Sequence, residues 1–366
     1  MPRVLVDLLF FTGHKGGMET YVRELYRELG ARADGYEYIA LASTEFLELD
    51  HAWFPGRVVA SGISGENRRA WAWGELTAVS AAARELSVDL IHAPANMGPY
   101  RAPVPVVVTV HDLLSFRFPR LLGTVNSAFV RLLVRLASRA ATVLVTDSNA
   151  SADDIARYLK PSAPVKVIPL AGAPVTAAVS ESGADRLGLP DEIILSTGNR
   201  LPHKNFAILL EALAFLAPDK RPHLVITGSR TGDPLIELRS GLGLEQSVTL
   251  LGWVTDAELD ALWASAKLYV IPSLFEGFGL PVLDAMQRGV PVVASDIPVL
   301  REVGGSAPAY VDATRPQDVA SAMARVLSDE TLRESMVAAG AHRAAEFGWA
   351  RVARETAAAF RLAMDR

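Results

Sequence analysis

The chain has 366 residues, of which 50% are hydrophobic and 21% charged, with a net charge of −5 and no cysteine. That length suits two domains of ordinary size. The missing cysteines exclude disulfides, zinc–thiolate sites, iron–sulfur clusters and a cysteine nucleophile. Residues 1–170 carry 18 basic and 17 acidic side chains and the remainder 18 and 24, so neither half has the basic excess of a nucleic-acid-binding protein.

No apolar run approaches the roughly 18 residues of a membrane span. The first residues, Met1-Pro-Arg-Val, enter a strand pattern at once. This leaves no room for a signal peptide and predicts a cytoplasmic protein.

In chain order, strand-like runs near 4–9, 36–41, 88–92, 104–110, 142–146 and 165–168 alternate with helical stretches over 19–33, 71–86, 124–139 and 150–159. Residues 169–190 then lose periodicity and become rich in Ala, Gly, Ser and Pro, a linker composition. The alternation restarts with strands near 193–197, 223–227, 248–251, 268–272 and 291–294. Helices are predicted after each of these strands, including 205–216, 256–265, 281–288 and 316–327, with further helix from about 330 onward.

Alternation of this kind predicts parallel sheets with crossover helices. The expected architecture is α/β, with two Rossmann-like doubly wound domains facing a central cleft. The boundaries are 1–172, a linker over 173–190, and 191–347, with a closing helix over 348–366 that can return to the N-terminal domain.

Between positions 268 and 286 the sequence reads Leu-Tyr-Val-Ile-Pro-Ser-Leu-Phe-Glu276-Gly-Phe-Gly-Leu-Pro-Val-Leu-Asp284-Ala-Met. A buried strand ends, a glycine turn follows, and Pro281 stands where a helix should begin. Gly277 and Gly279 allow close backbone approach, and the amides at a helix start favour an anion such as a diphosphate. Glu276 and Asp284 can accept hydrogen bonds from sugar hydroxyls. A plain strand–turn–helix with a capping acid explains the same residues.

At the tip of the 193–197 strand, Gly198-Asn-Arg200-Leu-Pro-His-Lys204-Asn places two cations at the carboxyl end of a parallel strand, where such folds bind ligands. A solvated surface loop is the alternative. In the first half, Gly13-His14-Lys15-Gly16-Gly17 follows the first strand and opens a helix, a further place for phosphate or sugar on backbone amides. His111 ends the 104–110 strand on the same expected edge; a histidine there can equally be structural.

From 113 to 146 there are five arginines and no acid. Arg131, Arg135 and Arg139 recur every fourth residue, which puts them on one helix face opposite Phe129, Leu132, Leu133 and Leu136. The stripe reads either as a solvated face or as a surface for a membrane or a phosphate-bearing lipid.

Taken in order, these motifs, with Thr109-Val-His-Asp-Leu, Thr146-Asp-Ser-Asn, Val292-Val-Ala-Ser-Asp and Leu300-Arg-Glu-Val, resemble retaining glycosyltransferases of family 4, which have the GT-B fold. The flavour is that of bacterial mannosyltransferases. The resemblance covers the whole chain. It implies that Glu276 contacts the donor sugar and that the amides of Gly277, Phe278, Gly279 and Leu280 hold sugar and phosphate.

By the same resemblance Arg200 and Lys204 grip the diphosphate, Gly16 and Gly17 form a loop closing on the donor, and His111 lies beside the transferred sugar. The second acid of the family's paired motif, which holds the ribose, falls on Asp284, one methylene shorter than the usual Glu. Base selection is expected from backbone near Ser229 and Val254. His14 and Lys15, with Arg131 and Arg135, are expected on the acceptor side.

The implied activity is transfer of a hexose, with mannose favoured, from a nucleotide-diphosphate sugar to a glycan, lipid-linked or small-molecule hydroxyl. It needs no metal and no cofactor beyond the co-substrate, since there is no Asp-x-Asp and no histidine set at ligand spacing. Peripheral contact with the inner face of the membrane is compatible with it, and nucleic acid is not a partner. A GT-B-fold sugar-nucleotide epimerase and a non-catalytic sugar-nucleotide-binding protein are the alternatives.

Overall fold

The computed structural model describes residues 1–14, 16–32, 35–120, 124–175, 187–228 and 232–366. They form two compact units, one of Met1–Ala171 with Phe347–Arg366 and one of Gly172–Glu346.

The first unit runs β1 (Arg3–Leu8), α1 (Gly17–Arg32), β2 (Glu37–Ala42), β3 (Arg57–Ala60), α2 (Arg68–Glu85), β4 (Leu90–Ala93) and β5 (Val106–Thr109). It continues with α3 (Leu114–Arg117), α4 (Thr124–Ala140), β6 (Val143–Thr146), α5 (Asn149–Tyr158) and β7 (Val165–Val167). Every strand pair is parallel, in the order β3-β2-β1-β4-β5-β6-β7.

Side chains alternate across this sheet. Leu5, Ile39, Leu41, Ile91, Val106 and Val108 pack with residues of α2, α4 and α5 in one core. On the other face Tyr26 meets His92, and Phe360 from the chain's end lies edge-on to both His92 and Tyr36.

The second unit runs β8 (Ile193–Ser196), α6 (Ala207–Ala214), β9 (His223–Ile226), α7 (Leu235–Gly241), β10 (Val248–Leu250), α8 (Asp256–Ser265) and β11 (Ala266–Ile271). Then come α9 (Leu280–Gln287), β12 (Val292–Ser295), α10 (Pro298–Gly304), β13 (Ala309–Val311), α11 (Pro316–Ser328) and α12 (Glu330–Ala344). Its sheet is also parallel, in the order β10-β9-β8-β11-β12-β13. The last helix, α13 (Trp349–Met364), packs along α1 within the first unit.

Local chemistry sets the helix starts. Asn67 accepts from the Arg69 and Ala70 amides to begin α2, and Ser148 caps α5 through the Ser151 amide. Thr255 and Glu258 form a reciprocal capping box on α8. Pro281, Pro298 and Pro316 stand in the first turns of α9, α10 and α11, where the missing N–H has no partner to lose.

Three of these elements, β3, β13 and the four-residue α3, were not predicted, and α7 and α10 fall where helices were expected without stated bounds. The two strands are short and lie at the sheet edges, and α7 and α10 have seven residues each.

The helix α4 corrects one expectation. Its buried stripe is Leu133, Val134 and Ala137, whereas Phe129 and Leu132 are 47% and 50% exposed, on the same side as Arg135 and Arg139. Arg131 is half-buried at the margin and donates from Nε to the Ser127 carbonyl at 3.2 Å. The outward face is therefore mixed apolar and basic, and the arginines do not oppose Phe129 and Leu132.

Candidate active site

In the second unit the sheet order reverses between β8 and β11, and in doubly wound sheets ligands bind outside the strand ends at such a switch point. Two loops meet there. The loop after β8 turns through Gly198 into a single 3₁₀ turn, Pro202–Lys204, and ends on Asn205 in the left-handed conformation (φ 56°). The loop after β11 carries Glu276 and ends on Gly279, also left-handed (φ 98°), which starts α9. A β-carbon on Gly279 would meet only the terminal methyl of Leu300, at 2.7 Å, which can give way, so it is the left-handed conformation that favours glycine.

The two loops are tied together at several points. Lys204 Nζ donates to Glu276 Oε1 at 2.7 Å and to Oε2 at 3.0 Å, with the two side chains 15% and 10% exposed. The Leu274 amide donates to the His203 carbonyl, and Asn205 Nδ2 donates to the carbonyls of Pro272 and Ala313. Beneath them, Thr197 Oγ1 lies 2.9 Å from the Tyr269 hydroxyl.

His203 is buried between these loops against Phe275. Burial, with the Lys204 charge beside it, lowers its pKa to about 4, so its ring is neutral at ordinary pH.

Asp284 stands on the second turn of α9 and accepts from the Ala173 amide at 2.8 Å. Burial pushes its carboxyl up to about 6, against the lowering effects of that amide and of Arg288. Its Oδ1 thus serves the chain's own backbone, which qualifies its expected place as a ribose ligand. Gly277, Phe278 and Leu280 surround the start of α9, with Phe278 buried beneath the turn. Val254 lies half-buried in the loop between β10 and α8, while Ser229 falls outside the described residues.

Arg200 departs from expectation. Its side chain is 6% exposed and turns away from Lys204 to the other side of β8, where Nε donates to Asp233 Oδ2 at 2.8 Å. Nη1 reaches the carbonyls of Thr227 and Gly198, and Nη2 those of Ile226 and Leu251. The expected pair of adjacent cations is therefore not formed. Lys204 stands at the switch point, and Arg200 is engaged by Asp233 and four carbonyls, because the strand ends beside it present acceptors to a planar five-donor group.

In the first unit Gly16 is left-handed (φ 62°) and α1 begins at Gly17. The turn before them is held by Glu19, whose Oε1 accepts from the Thr12 and Gly13 amides at 2.7 and 3.0 Å. His14 is exposed, and Lys15 lies outside the described residues.

His111, also in this unit, is 7% exposed and held on every side. Nδ1 meets Asp147 Oδ2 at 2.6 Å, Nε2 meets the Pro94 carbonyl at 2.8 Å, and the backbone is fixed by Asn96 and Ser151. A carbonyl only accepts, so Nε2 carries a proton. Burial alone would lower the pKa, but the Asp147 carboxylate and the Pro94 carbonyl outweigh it and raise it, favouring the imidazolium. Sequence alone assigns no role to Glu19, Asp147 or Asp233. Each is a buried acid whose partner is set by the fold.

Comparison with known proteins agrees with this architecture. The model of "Glycosyltransferase Family 4" matches residues 15–171, and that of "Glycosyl transferases group 1" matches residues 183–343. The O-antigen chain mannosyltransferase B of Escherichia coli is 29% identical over 292 residues, 77% of this chain and 76% of that protein. The serotype-specific mannosyltransferase WbdA of Escherichia coli is 34% identical over 179 residues, 47% of this chain but only 22% of that longer protein.

Among solved structures, Anabaena HepE in complex with UDP and glucose superposes with a TM-score of 0.74 at 21% identity, covering 99% of this chain and 100% of that one. Two family models spanning both halves, two parallel doubly wound sheets and mannosyltransferase relatives converge, and the chain belongs to the family 4 glycosyltransferases of GT-B fold.

Proposed function

We propose that this glycosyltransferase moves a hexose, with mannose favoured, from a nucleoside-diphosphate sugar to a hydroxyl of a glycan, lipid-linked or small-molecule acceptor, with retention of anomeric configuration. The observation that carries the reading is the Lys204–Glu276 pair at the switch point, beside the start of α9. The mannosyltransferases among its relatives favour the sugar, and the UDP held by a protein of the same fold favours the nucleotide form.

In this reading an arriving diphosphate draws Lys204 off Glu276. The ammonium and the amides at the start of α9 then face phosphate oxygens. The freed carboxylate accepts hydrogen bonds from sugar hydroxyls. As the bond from the anomeric carbon to the phosphate oxygen breaks, the same ammonium and amides meet the charge growing on the leaving group.

The acceptor oxygen bonds to the anomeric carbon from the face the diphosphate leaves, and its proton passes to a departing phosphate oxygen. Configuration is thereby retained without a covalent enzyme intermediate. Charge neutralisation is assigned to Lys204 and backbone amides rather than to a metal ion. His111, held between Asp147 and Pro94 in contacts that favour its protonated form, is assigned a fixed place beside the sugar rather than a mobile proton.

The test is a thermal-shift panel of GDP-mannose, UDP-glucose, GDP and UDP, followed by NMR of the product's anomeric signal. The reading expects a nucleotide sugar to stabilise the protein and an α-linked donor to give an α-linked product. Absence of stabilisation by every nucleotide, or an inverted product, overturns it.

We further propose that the acceptor is met at an anionic lipid surface through α4. Among the described residues no helix is long and apolar enough to cross a membrane. Yet α4 turns Phe129 and Leu132 outward beside Arg135 and Arg139, the combination that seats an amphipathic helix at charged headgroups. Flotation with vesicles of phosphatidylcholine containing phosphatidylglycerol should recover the wild type. It should recover little of a variant with Phe129→Ser, Leu132→Ser, Arg135→Ser and Arg139→Ser. Equal recovery of both would contradict the assignment.

A further inference from the structure

The guanidinium of Arg200 has five N–H donors, and the second unit supplies an acceptor for each. Nε–H goes to Asp233 at 2.8 Å, Nη1 to Thr227 at 2.6 Å and Gly198 at 3.3 Å, and Nη2 to Ile226 at 3.0 Å and Leu251 at 3.4 Å. The plane also lies 5.3 Å from the centre of the Phe206 ring. No donor is left for a bidentate phosphate contact unless one of these bonds breaks.

The acceptors are not scattered. Gly198 follows β8, Ile226 ends β9 with Thr227 next, and Leu251 follows β10. Asp233, 5% exposed, accepts from the Leu235 amide through its other oxygen and so fixes the start of α7. One cation therefore joins three neighbouring strand ends and a helix start.

The same strand ends are packed too closely for anything but glycine at one point. A β-carbon on Gly228 (φ 86°) would lie 2.4 Å from the Gly198 carbonyl oxygen, and the Gly228 amide is bonded to Gly252. These loops, after β9 and β10, are the ones expected to receive the nucleoside base.

We propose that Arg200 is a positioning residue for the nucleoside end of the donor site, acting with Asp233 through the loops after β8, β9 and β10, and that Lys204 alone of the two cations reads the diphosphate. The proposal rests on the donor-site reading above. It divides the labour between two residues that stand four apart in sequence but turn to opposite sides of β8.

The assignment separates from direct phosphate binding by comparing mono- and diphosphates. Isothermal titration of UDP and UMP, and of GDP and GMP, is made on the wild type, Asp233→Asn, Arg200→Lys and Lys204→Ala. Asp233→Asn and Arg200→Lys should each weaken the monophosphate and the diphosphate by the same factor, about tenfold or more, leaving their ratio unchanged. Lys204→Ala should instead shrink that ratio.

A loss of folded protein lowers the binding stoichiometry rather than the ratio, so the two effects separate. If Asp233→Asn binds the diphosphate as well as or better than the wild type, Arg200 was held back from phosphate and the proposal falls. It falls equally if Arg200→Lys loses the diphosphate preference alone. Failure of the wild type to bind any of the four nucleotides overturns the donor-site reading, and this assignment with it.

Discussion

Lys204 and Glu276 come from loops 72 residues apart and form a two-pronged ion pair, Nζ to Oε1 at 2.7 Å and to Oε2 at 3.0 Å, at the point where the second sheet reverses its strand order. Both side chains are largely shielded from water, so each charge depends on the other until a ligand replaces it.

That dependence predicts coupled stability. Lys204→Met and Glu276→Gln should each lower stability by about 1–3 kcal/mol by leaving the partner uncompensated. The double variant should lose less than the two losses combined. Urea denaturation of the four proteins measures the coupling, and strictly additive losses would contradict it.

His111 predicts a fall in stability on the alkaline side. Its folded pKa is raised above the unfolded value of about 6.5. The contribution is therefore fully present below about pH 6.5 and lost as pH rises through the folded value. His111→Gln should be less stable than the wild type near pH 6 and should show a flatter decline above it. Melting curves from pH 5 to 9 test this.

Asp284 carries the opposite kind of term. Its carboxyl sits at about 6 in the folded chain against an ordinary value of 3.8, with burial the main cause. The folded state thus holds a proton that the unfolded state has released, and stability falls as pH rises from about 3.8 to about 6. Asp284→Asn, which keeps an acceptor oxygen for the Ala173 amide, should melt higher than the wild type at pH 7 and no higher at pH 4. A lower melting point at pH 7 would contradict the assignment.

Glu19 predicts a loop effect. Its carboxylate holds the Thr12 and Gly13 amides just before the Gly16–Gly17 turn. Glu19→Ala should cost on the order of 2 kcal/mol, whereas Glu19→Gln, which retains an oxygen, should cost less. Amide exchange at residues 12 and 13 should accelerate with the same ranking; unchanged exchange in Glu19→Ala would count against the contact.

Much of the scaffold was legible in sequence because strands buried on both faces read as short continuous apolar runs. Val106–Thr109, Val143–Thr146 and Leu268–Ile271 declare themselves in that way. β3 and β13 do not, since an edge strand of three or four half-exposed residues has neither the length nor the pattern. The helix α4 misled for a related reason. It has apolar residues around most of its circumference, and the sequence does not say that Leu133, Val134 and Ala137, not Phe129 and Leu132, meet the sheet.

At the site, the glycine turn and Glu276 were readable because left-handed backbone and a proline-started helix leave marks in the residue types. Arg200 was not readable. Its spacing from Lys204 places both cations in one loop but does not reveal to which side of β8 each turns. Its partner Asp233 lies 33 residues on, beside α7, a helix expected without stated bounds.

The central claim is that Lys204 reads the diphosphate and Glu276 reads the sugar. The measurement that tests it most directly is calorimetric binding of a nucleotide sugar and of its bare nucleoside diphosphate to wild type, Lys204→Ala and Glu276→Gln. GDP-mannose with GDP and UDP-glucose with UDP are the pairs to use. The account predicts that Lys204→Ala weakens both members of a pair, while Glu276→Gln weakens only the sugar-bearing one. If Glu276→Gln alters both alike, or neither, the account is contradicted.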